Sequence, residues 1–156
     1  MIILDELLND LKKHKNTPEY YYSVRALDPG HLSPVERASR FLYLNKTGYN
    51  GLWRVNSRGK HNVPFGRYKN PKIVDETNLR LLRGALSHAR VIGADFSRAL
   101  DFARGDAFVY LDPPYYPVSD TANFTGYISD AFGIDDQKRL AEVFPFTQND
   151  LHSPQC

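Results

Sequence analysis

The sequence predicts an α/β fold. Stretches with leucines at helical spacing alternate with short apolar runs, the pattern of strands and helices taking turns along the chain. One run, Ala107–Leu111 (AFVYL), is continuously apolar, as expected of a strand covered on both faces in a parallel sheet. It ends directly at Asp112–Pro113–Pro114–Tyr115, and open α/β sheets bind ligands just outside the carboxyl ends of their strands.

From the N-terminus, Ile3–Lys15 (ILDELLNDLKKHK) places Leu4, Leu7, Leu8 and Leu11 on one face, which predicts an amphipathic helix. Tyr20–Tyr21–Tyr22 leads into a turn at Asp28–Pro29–Gly30. Ser33–Pro34–Val35–Glu36 is a strong helix start, with Ser as cap, Pro at the first position and Glu reaching back from the third. That helix is expected to run to about Leu44 and to bury Ala38, Phe41 and Leu42. Asn45–Lys72 is punctuated by Gly, Asn and Pro and reads as a loop plus a hairpin. Asp75–His88 returns to helical spacing through Leu79, Leu82 and Leu86. Val91–Ile92 reads as a short strand, SRALDFA as a helix capped by Ser97 and stopped at Gly105, and Asp135–Phe144 as a further capped helix. There is no internal repeat.

Length and composition set limits. At 156 residues the chain is about one domain. Hydrophobic residues at 42% and charged residues at 24%, with a mean hydropathy of −0.49, describe a globular chain rather than a disordered one. No run approaches the roughly 18 apolar residues of a membrane span, so no membrane partner is expected. The single cysteine, Cys156, excludes a disulfide framework or a cysteine zinc site within the chain and points to a reducing compartment.

Charge is distributed unevenly. The net charge is only +2, yet nine Lys or Arg fall between Arg37 and Val74 without one acidic residue. Of 20 basic residues, eleven remain elsewhere, against all 18 acidic ones. The block is interleaved with Phe41, Tyr43, Tyr49, Trp53, Phe65 and Tyr68. Rings among cations suit a nucleic acid, whose phosphates attract the charge and whose bases stack.

Asp112–Pro113–Pro114–Tyr115 carries the chemistry. Asp112 supplies a carboxylate acceptor, each proline removes a backbone donor and stiffens the loop, and Tyr115 supplies a flat ring. Two acceptors and a ring suit a planar substrate with an exocyclic amino group. Holding both amino hydrogens draws the nitrogen lone pair out of conjugation toward an electrophile. A strand ending in a stiff turn, with Tyr115 merely packing, is the plain alternative.

These letters and their neighbours resemble the Dam-type (D12 class) DNA adenine-N6 methyltransferases. Asp112–Phe144 looks like that family's catalytic-loop segment, and Phe41–Pro71 (FLYLNKTGYNGLWRVNSRGKHNVPFGRYKNP) like its target-recognition segment. The resemblance implies a partial Rossmann-like sheet binding S-adenosyl-L-methionine, with an inserted helical and hairpin DNA-recognition domain. It implies that Asp112 and Pro113 bind the adenine amino group and Pro114 shapes the loop. Tyr115 would stack on a base flipped out of the duplex, Asp112 would also border the cofactor pocket, and Asn123–Phe124–Thr125 would wall the flipped adenine. In the recognition segment it implies Tyr49 as a wedge, with Asn50 holding its neighbourhood, Arg54 reading a guanine in the major groove, Lys46 near phosphate or base, and Pro64 and Tyr68 at the outer base pairs. Double-stranded DNA is the implied partner and GATC the implied site. For Trp53, packing is the preferred reading over a DNA contact.

The expected organisation is a helix and connection over 1–30, the recognition segment over 31–88, the catalytic half over 89–144 and an irregular tail over 145–156. The family's G-x-G cofactor cradle is not in the sequence, and Pro145 onward shows no strand pattern. The reading is therefore a truncated methyltransferase in a bacterial or phage-encoded, cytoplasmic setting, with a missing N-terminal fragment as a further partner. A DNA-binding remnant without catalysis is the alternative. Similar proline tetrapeptides occur in RNA guanine-N2 and protein-glutamine methyltransferases, but Gly48–Tyr49–Asn50–Gly51 and Asn62–Gly66 argue for DNA.

Overall fold

In the computed structural model, residues 4–102, 108–114 and 132–143 are described. One compact unit takes Met1–Val91, and another begins at Ile92. In the first, four α-helices frame an irregular segment: α1 (Leu4–Leu11), α2 (Pro18–Ala26), α3 (Pro34–Thr47) and α4 (Glu76–Leu86). The second holds a short 3-10 helix, Phe96–Asp101, and α5 (Ile134–Val143). Among the described residues no helix is long and apolar enough to cross a membrane.

The start signals work as the sequence suggests. Ser33 and Glu36 form a reciprocal capping box at α3, with Pro34 in the first turn. Helix α2 was not foreseen, although it carries the same signal: Thr17 accepts from the Tyr20 amide and Pro18 opens the helix. Cap and proline outweigh the β preference of three consecutive tyrosines. Asp75 caps α4 by accepting from the Asn78 amide.

Two apolar clusters hold the unit. Leu4, Leu7, Leu8 and Leu11 of α1 pack on Val35, Ala38 and Leu42 of α3 and on Val74 and Leu79. Tyr21 and Val24 of α2 meet Tyr43 and Leu44 of α3, with Tyr20, Trp53, Phe65 and Ile73 around them. His14 joins the helices: its ring stacks on Tyr43 at 4.3 Å, and its nitrogens lie 3.0 Å from the Tyr20 hydroxyl and 2.9 Å from the Ser39 hydroxyl. Burial pushes its pKa down, favouring the neutral ring. Burial likewise pushes the Tyr43 phenol up to about 12, and its hydroxyl donates to the Lys15 carbonyl at 2.8 Å. Phe41, expected inside, is half exposed, because α3 turns Tyr43 and Leu44 into the core instead. On α4 only Leu79 packs inward, while Leu82 and Leu86 stay open to solvent.

In the second unit, Arg139 of α5 grips both carboxylate oxygens of Asp95, at 3.1 and 3.0 Å, and reaches Asp136 at 3.2 Å. Its guanidinium also lies 4.3 Å from the Phe96 ring centre. Asp95, not Ser97, caps the 3-10 helix; hydrogen bonds from Ser97 and Arg139 hold its pKa down at about 2. The expected stop at Gly105 lies outside the described residues.

The strands expected at Val91–Ile92 and Ala107–Leu111 do not form among the described residues. Phe108 is 91% exposed and Tyr110 76%, and residues 108–114 take no regular structure. A strand exists only through ladder bonds to a neighbour, and among the described residues the only β bridges are Gly48 with Phe65 and Val55 with His61. The family's parallel sheet is therefore not seen in this part of the chain.

Leu11 is 1% exposed and Leu81 69%, which separates two otherwise similar substitutions. Leu11→Ala is expected to lower the unfolding free energy by about 2–5 kcal/mol through lost burial and a cavity, and Leu81→Ala to change it by less than about 0.5 kcal/mol. Urea unfolding reads both; equal losses would contradict the packing described.

Candidate nucleic-acid interface

Residues 45–72 carry little regular structure, so what holds them is a sparse set of bonds to the helices. Gly48 closes α3, its amide donating to the Leu44 carbonyl at 2.8 Å. A Cβ at Gly48 would lie 2.6 Å from the Leu44 oxygen and 3.0 Å from the Tyr21 hydroxyl, so no larger residue fits there. The Tyr49 amide donates to Pro64 and the Gly66 amide to Thr47, at 2.9 and 2.8 Å, around the Gly48–Phe65 bridge. Buried Tyr21 donates its hydroxyl to the Val63 carbonyl at 3.0 Å, as does Arg25 Nη1.

Beyond this anchor the chain makes a small hairpin. Val55 bridges His61 in antiparallel fashion, which sets Arg54 opposite Asn62. The Asn62 amide donates to Arg54 and the Asn56 amide to Lys60, at 3.0 and 2.9 Å. Asn56 Oδ1 accepts from the amides of Arg58 and Lys60, an Asx-type turn completed by Gly59 at φ 69°.

The sequence-level residues fall on this frame. Lys46 lies in the last turn of α3, Tyr49 and Asn50 in the 3-10 turn Tyr49–Gly51, Arg54 on the hairpin, and Pro64 and Tyr68 beyond it; all six are exposed. Asn50 takes a left-handed conformation, φ 52°, which Asn tolerates better than most residues. The Tyr68 carbonyl accepts from Asn16 Nδ2 at 2.7 Å, tying this end to the α1–α2 connection. Trp53 packs as expected, its ring 4.5 Å from His61 and 4.6 Å from Phe41. Two features escape sequence reasoning: the pairing of Asn62, whose Oδ1 accepts from Arg54 Nε at 2.9 Å, and the left-handed conformation of Arg67, a member of the basic block, at φ 57°. Nothing in the letters signals the second; the first follows only once the hairpin register is known.

Ion pairing is uneven among the cations. Lys13 just after α1, Arg80 of α4, and Lys138 and Arg139 of α5 sit against carboxylates, whereas Lys12 and Arg83 make no such bridge among the described residues. Within Arg37–Val74, Lys72 pairs with Asp75 at 2.9 Å, and Arg40, only 6% exposed, donates to the carbonyls of Val24 and Arg25. Arg37, Lys46, Arg54, Arg58, Lys60, Arg67 and Lys69 are exposed, with no carboxylate bridge among the described residues. Such a surface lowers its electrostatic energy on meeting an anion.

In the second unit, Asp112 is exposed and free of ion pairs among the described residues. The Pro114 carbonyl accepts from Gln137 Nε2 of α5 at 2.8 Å, which fixes the exit of the Asp112–Pro113–Pro114 segment. Tyr115 and Asn123–Phe124–Thr125 lie outside the described residues.

His61 supplies a pH signature. Its Nδ1 is 3.2 Å from the Arg54 carbonyl, which can only accept, so Nδ1 carries the hydrogen; Nε2 is buried without a partner. Burial, with Arg40, Arg25 and Arg54 nearby, pushes its pKa from 6.5 down to about 4. As pH falls from 6.5 toward 4, the unfolded chain takes up a proton that the folded chain refuses, so stability falls through that window, by at most about 3 kcal/mol. His14, also lowered, acts in the same direction. His61→Phe is expected to flatten the dependence of melting temperature on pH in this window without abolishing it; an unchanged slope would show that His61 is not held neutral.

Comparison with known proteins places the chain. The profile of the D12 class N6 adenine-specific DNA methyltransferases matches residues 2–155. The chain is 44% identical over 144 residues to the type II methyltransferase M.MjaIII of Methanocaldococcus jannaschii, covering 90% of this chain and 49% of that protein. It is 40% identical over 148 residues to the type II methyltransferase M1.LlaDCHI of Lactococcus lactis subsp. cremoris, covering 90% and 52%. To the DNA adenine methylase of Haemophilus influenzae it is 42% identical over 128 residues, covering 82% and 44%. The chain thus spans about half the length of these relatives. It belongs to the D12 class N6 adenine-specific DNA methyltransferase family.

Proposed function

We propose that this chain is the recognition and catalytic-loop portion of an enzyme that methylates N6 of adenine in duplex DNA, at GATC. The observation that carries the reading is the run of exposed cations on the 45–69 frame, Lys46, Arg54, Arg58, Lys60, Arg67 and Lys69, none of which meets a carboxylate among the described residues. Lys46, Arg58, Lys60 and Lys69 meet phosphates, Arg54 reads guanine, Tyr49 and Asn50 form the wedge, and Pro64 and Tyr68 border the outer base pairs. The names of the relatives, DNA adenine methylase and type II methyltransferase, support the same chemistry.

For the transfer, Asp112 and the Pro113 carbonyl accept the two amino hydrogens of a flipped adenine, and Tyr115 stacks on its ring. The exposed Asp112 carboxylate, without an ion pair among the described residues, fits that amino group and the rim of a pocket for S-adenosyl-L-methionine. When bound, that cofactor supplies a methyl group on a charged sulfonium. The Pro114 carbonyl, already held by Gln137, is left to shape the loop. The fold that goes with this reading is a Rossmann-like sheet containing Ala107–Leu111, whose exposed rings at Phe108 and Tyr110 its neighbouring strands would cover. Those strands and the Gly-rich cofactor cradle come from a further segment, in the same polypeptide or a companion. A cytoplasmic location goes with the same reading.

Two measurements test it. Duplex affinity should fall with salt with a log–log slope of about −4, since each of the four phosphates neutralised contributes about −0.9, and Arg58→Ala and Lys60→Ala should each make it shallower by about 1. The chain, supplied with the N-terminal half of a relative, should transfer methyl groups to GATC duplexes, and Asp112→Ala should abolish the transfer. Binding without any transfer favours the non-catalytic DNA-binding reading; salt-insensitive binding contradicts both.

A further inference from the structure

Arg54 is held at both its backbone and its side chain. Its carbonyl accepts from the Asn62 amide at 3.0 Å and faces His61 Nδ1 at 3.2 Å. Its Nε donates to Asn62 Oδ1 at 2.9 Å, and because Nε–H can only donate, the oxygen of the Asn62 amide is the atom that faces it. One residue therefore bonds Arg54 twice, directly across the hairpin.

That geometry has a chemical consequence. A guanidinium offers five N–H donors in one plane. With Nε engaged by Asn62, the four remaining hydrogens lie on Nη1 and Nη2, the end of the fork whose two parallel N–H groups match adjacent acceptors such as guanine O6 and N7. Arg54 is exposed and makes no carboxylate bridge among the described residues, so without Asn62 the fork would sweep freely in solvent. The cross-strand bond orders it before a ligand arrives, removing part of the ordering cost from binding.

We infer that Asn62 is a specificity-determining positioning residue: it fixes the Arg54 fork end-on for bidentate contact with a purine edge and touches no base itself. The inference rests on the reading of Arg54 as the guanine contact. It assigns different effects to cations otherwise alike: Arg58 and Lys60, at the turn of the same hairpin, supply affinity for any sequence, and the Arg54–Asn62 pair supplies discrimination.

The test is a double-substitution cycle on the full chain, read by fluorescence anisotropy. The quantity is the ratio of affinities for a GATC duplex and for duplexes with each guanine replaced by 7-deazaguanine, which removes the N7 acceptor. Arg54→Ala should lower this ratio by about tenfold or more, and Asn62→Ala by about two- to tenfold. In the Arg54→Ala background, Asn62→Ala should lower it no further. Asn62→Asp, which keeps an acceptor oxygen opposite Nε, should retain the ratio while weakening binding to all duplexes alike through its added negative charge. Additive losses in the double variant would mean that Asn62 meets DNA directly and would overturn the inference. So would an unchanged ratio in Asn62→Ala beside a reduced one in Arg54→Ala. An unchanged ratio in Arg54→Ala itself would instead remove the recognition reading beneath it.

Discussion

A single buried hydroxyl does much to hold the candidate interface in place. Tyr21, wholly enclosed in the second apolar cluster, donates to the Val63 carbonyl at 3.0 Å and so ties a segment made largely of Gly, Asn and Pro to a pair of helices. Buried carbonyls must be satisfied, and Val63 is satisfied twice, by Tyr21 and by Arg25. Around that point the returning chain passes Gly48 so closely that a Cβ on Gly66 would lie 2.9 Å from the Gly48 oxygen, and the Tyr49–Pro64 and Gly66–Thr47 bonds lock the two sides together. The hairpin bearing Arg54 projects from this clamp.

The arrangement separates two tasks that compete in most small domains. Burial belongs to tyrosines and leucines on the inner faces of α1, α2 and α3. The outer face of the irregular segment is left with charges that no carboxylate among the described residues neutralises. Isolated surface ion pairs contribute little to stability, about 0–1 kcal/mol each, so leaving these cations unpaired costs the fold little and leaves their charge available for a polyanion. Arg40 shows the converse case: inside the same basic stretch, it is buried and spent on the carbonyls closing α2.

Local signals carried the helices well. The capping box at Ser33 and the leucine spacing of α1 and α4 are nearest-neighbour chemistry, and they were legible. Helix α2 is equally legible from Thr17–Pro18, although the sequence reading takes Tyr20–Tyr21–Tyr22 only as a lead into the Asp28–Pro29–Gly30 turn. Strand readings at Val91–Ile92 and Ala107–Leu111 rest on apolar content, and a strand is a relation between segments, which one run of letters does not contain. The candidate interface reads in the sequence as composition, an acid-free basic stretch with rings; the structure adds that Lys46, Tyr49, Asn50, Arg54, Pro64 and Tyr68 are exposed. The pairing of Arg54 with Asn62 was not legible, since it depends on a hairpin register fixed by the turn at Asn56–Gly59.

The central claim is that duplex DNA meets the chain on the outer face of residues 45–69. Mapping backbone amide shifts of the chain as a GATC duplex is titrated locates the contact most directly. Shifts are expected to concentrate at Lys46, Tyr49, Asn50 and the Arg54–Asn62 hairpin and to weaken as salt is raised, with α1 and the exposed face of α4 unchanged. Shifts centred on α4, with the hairpin silent, would contradict it.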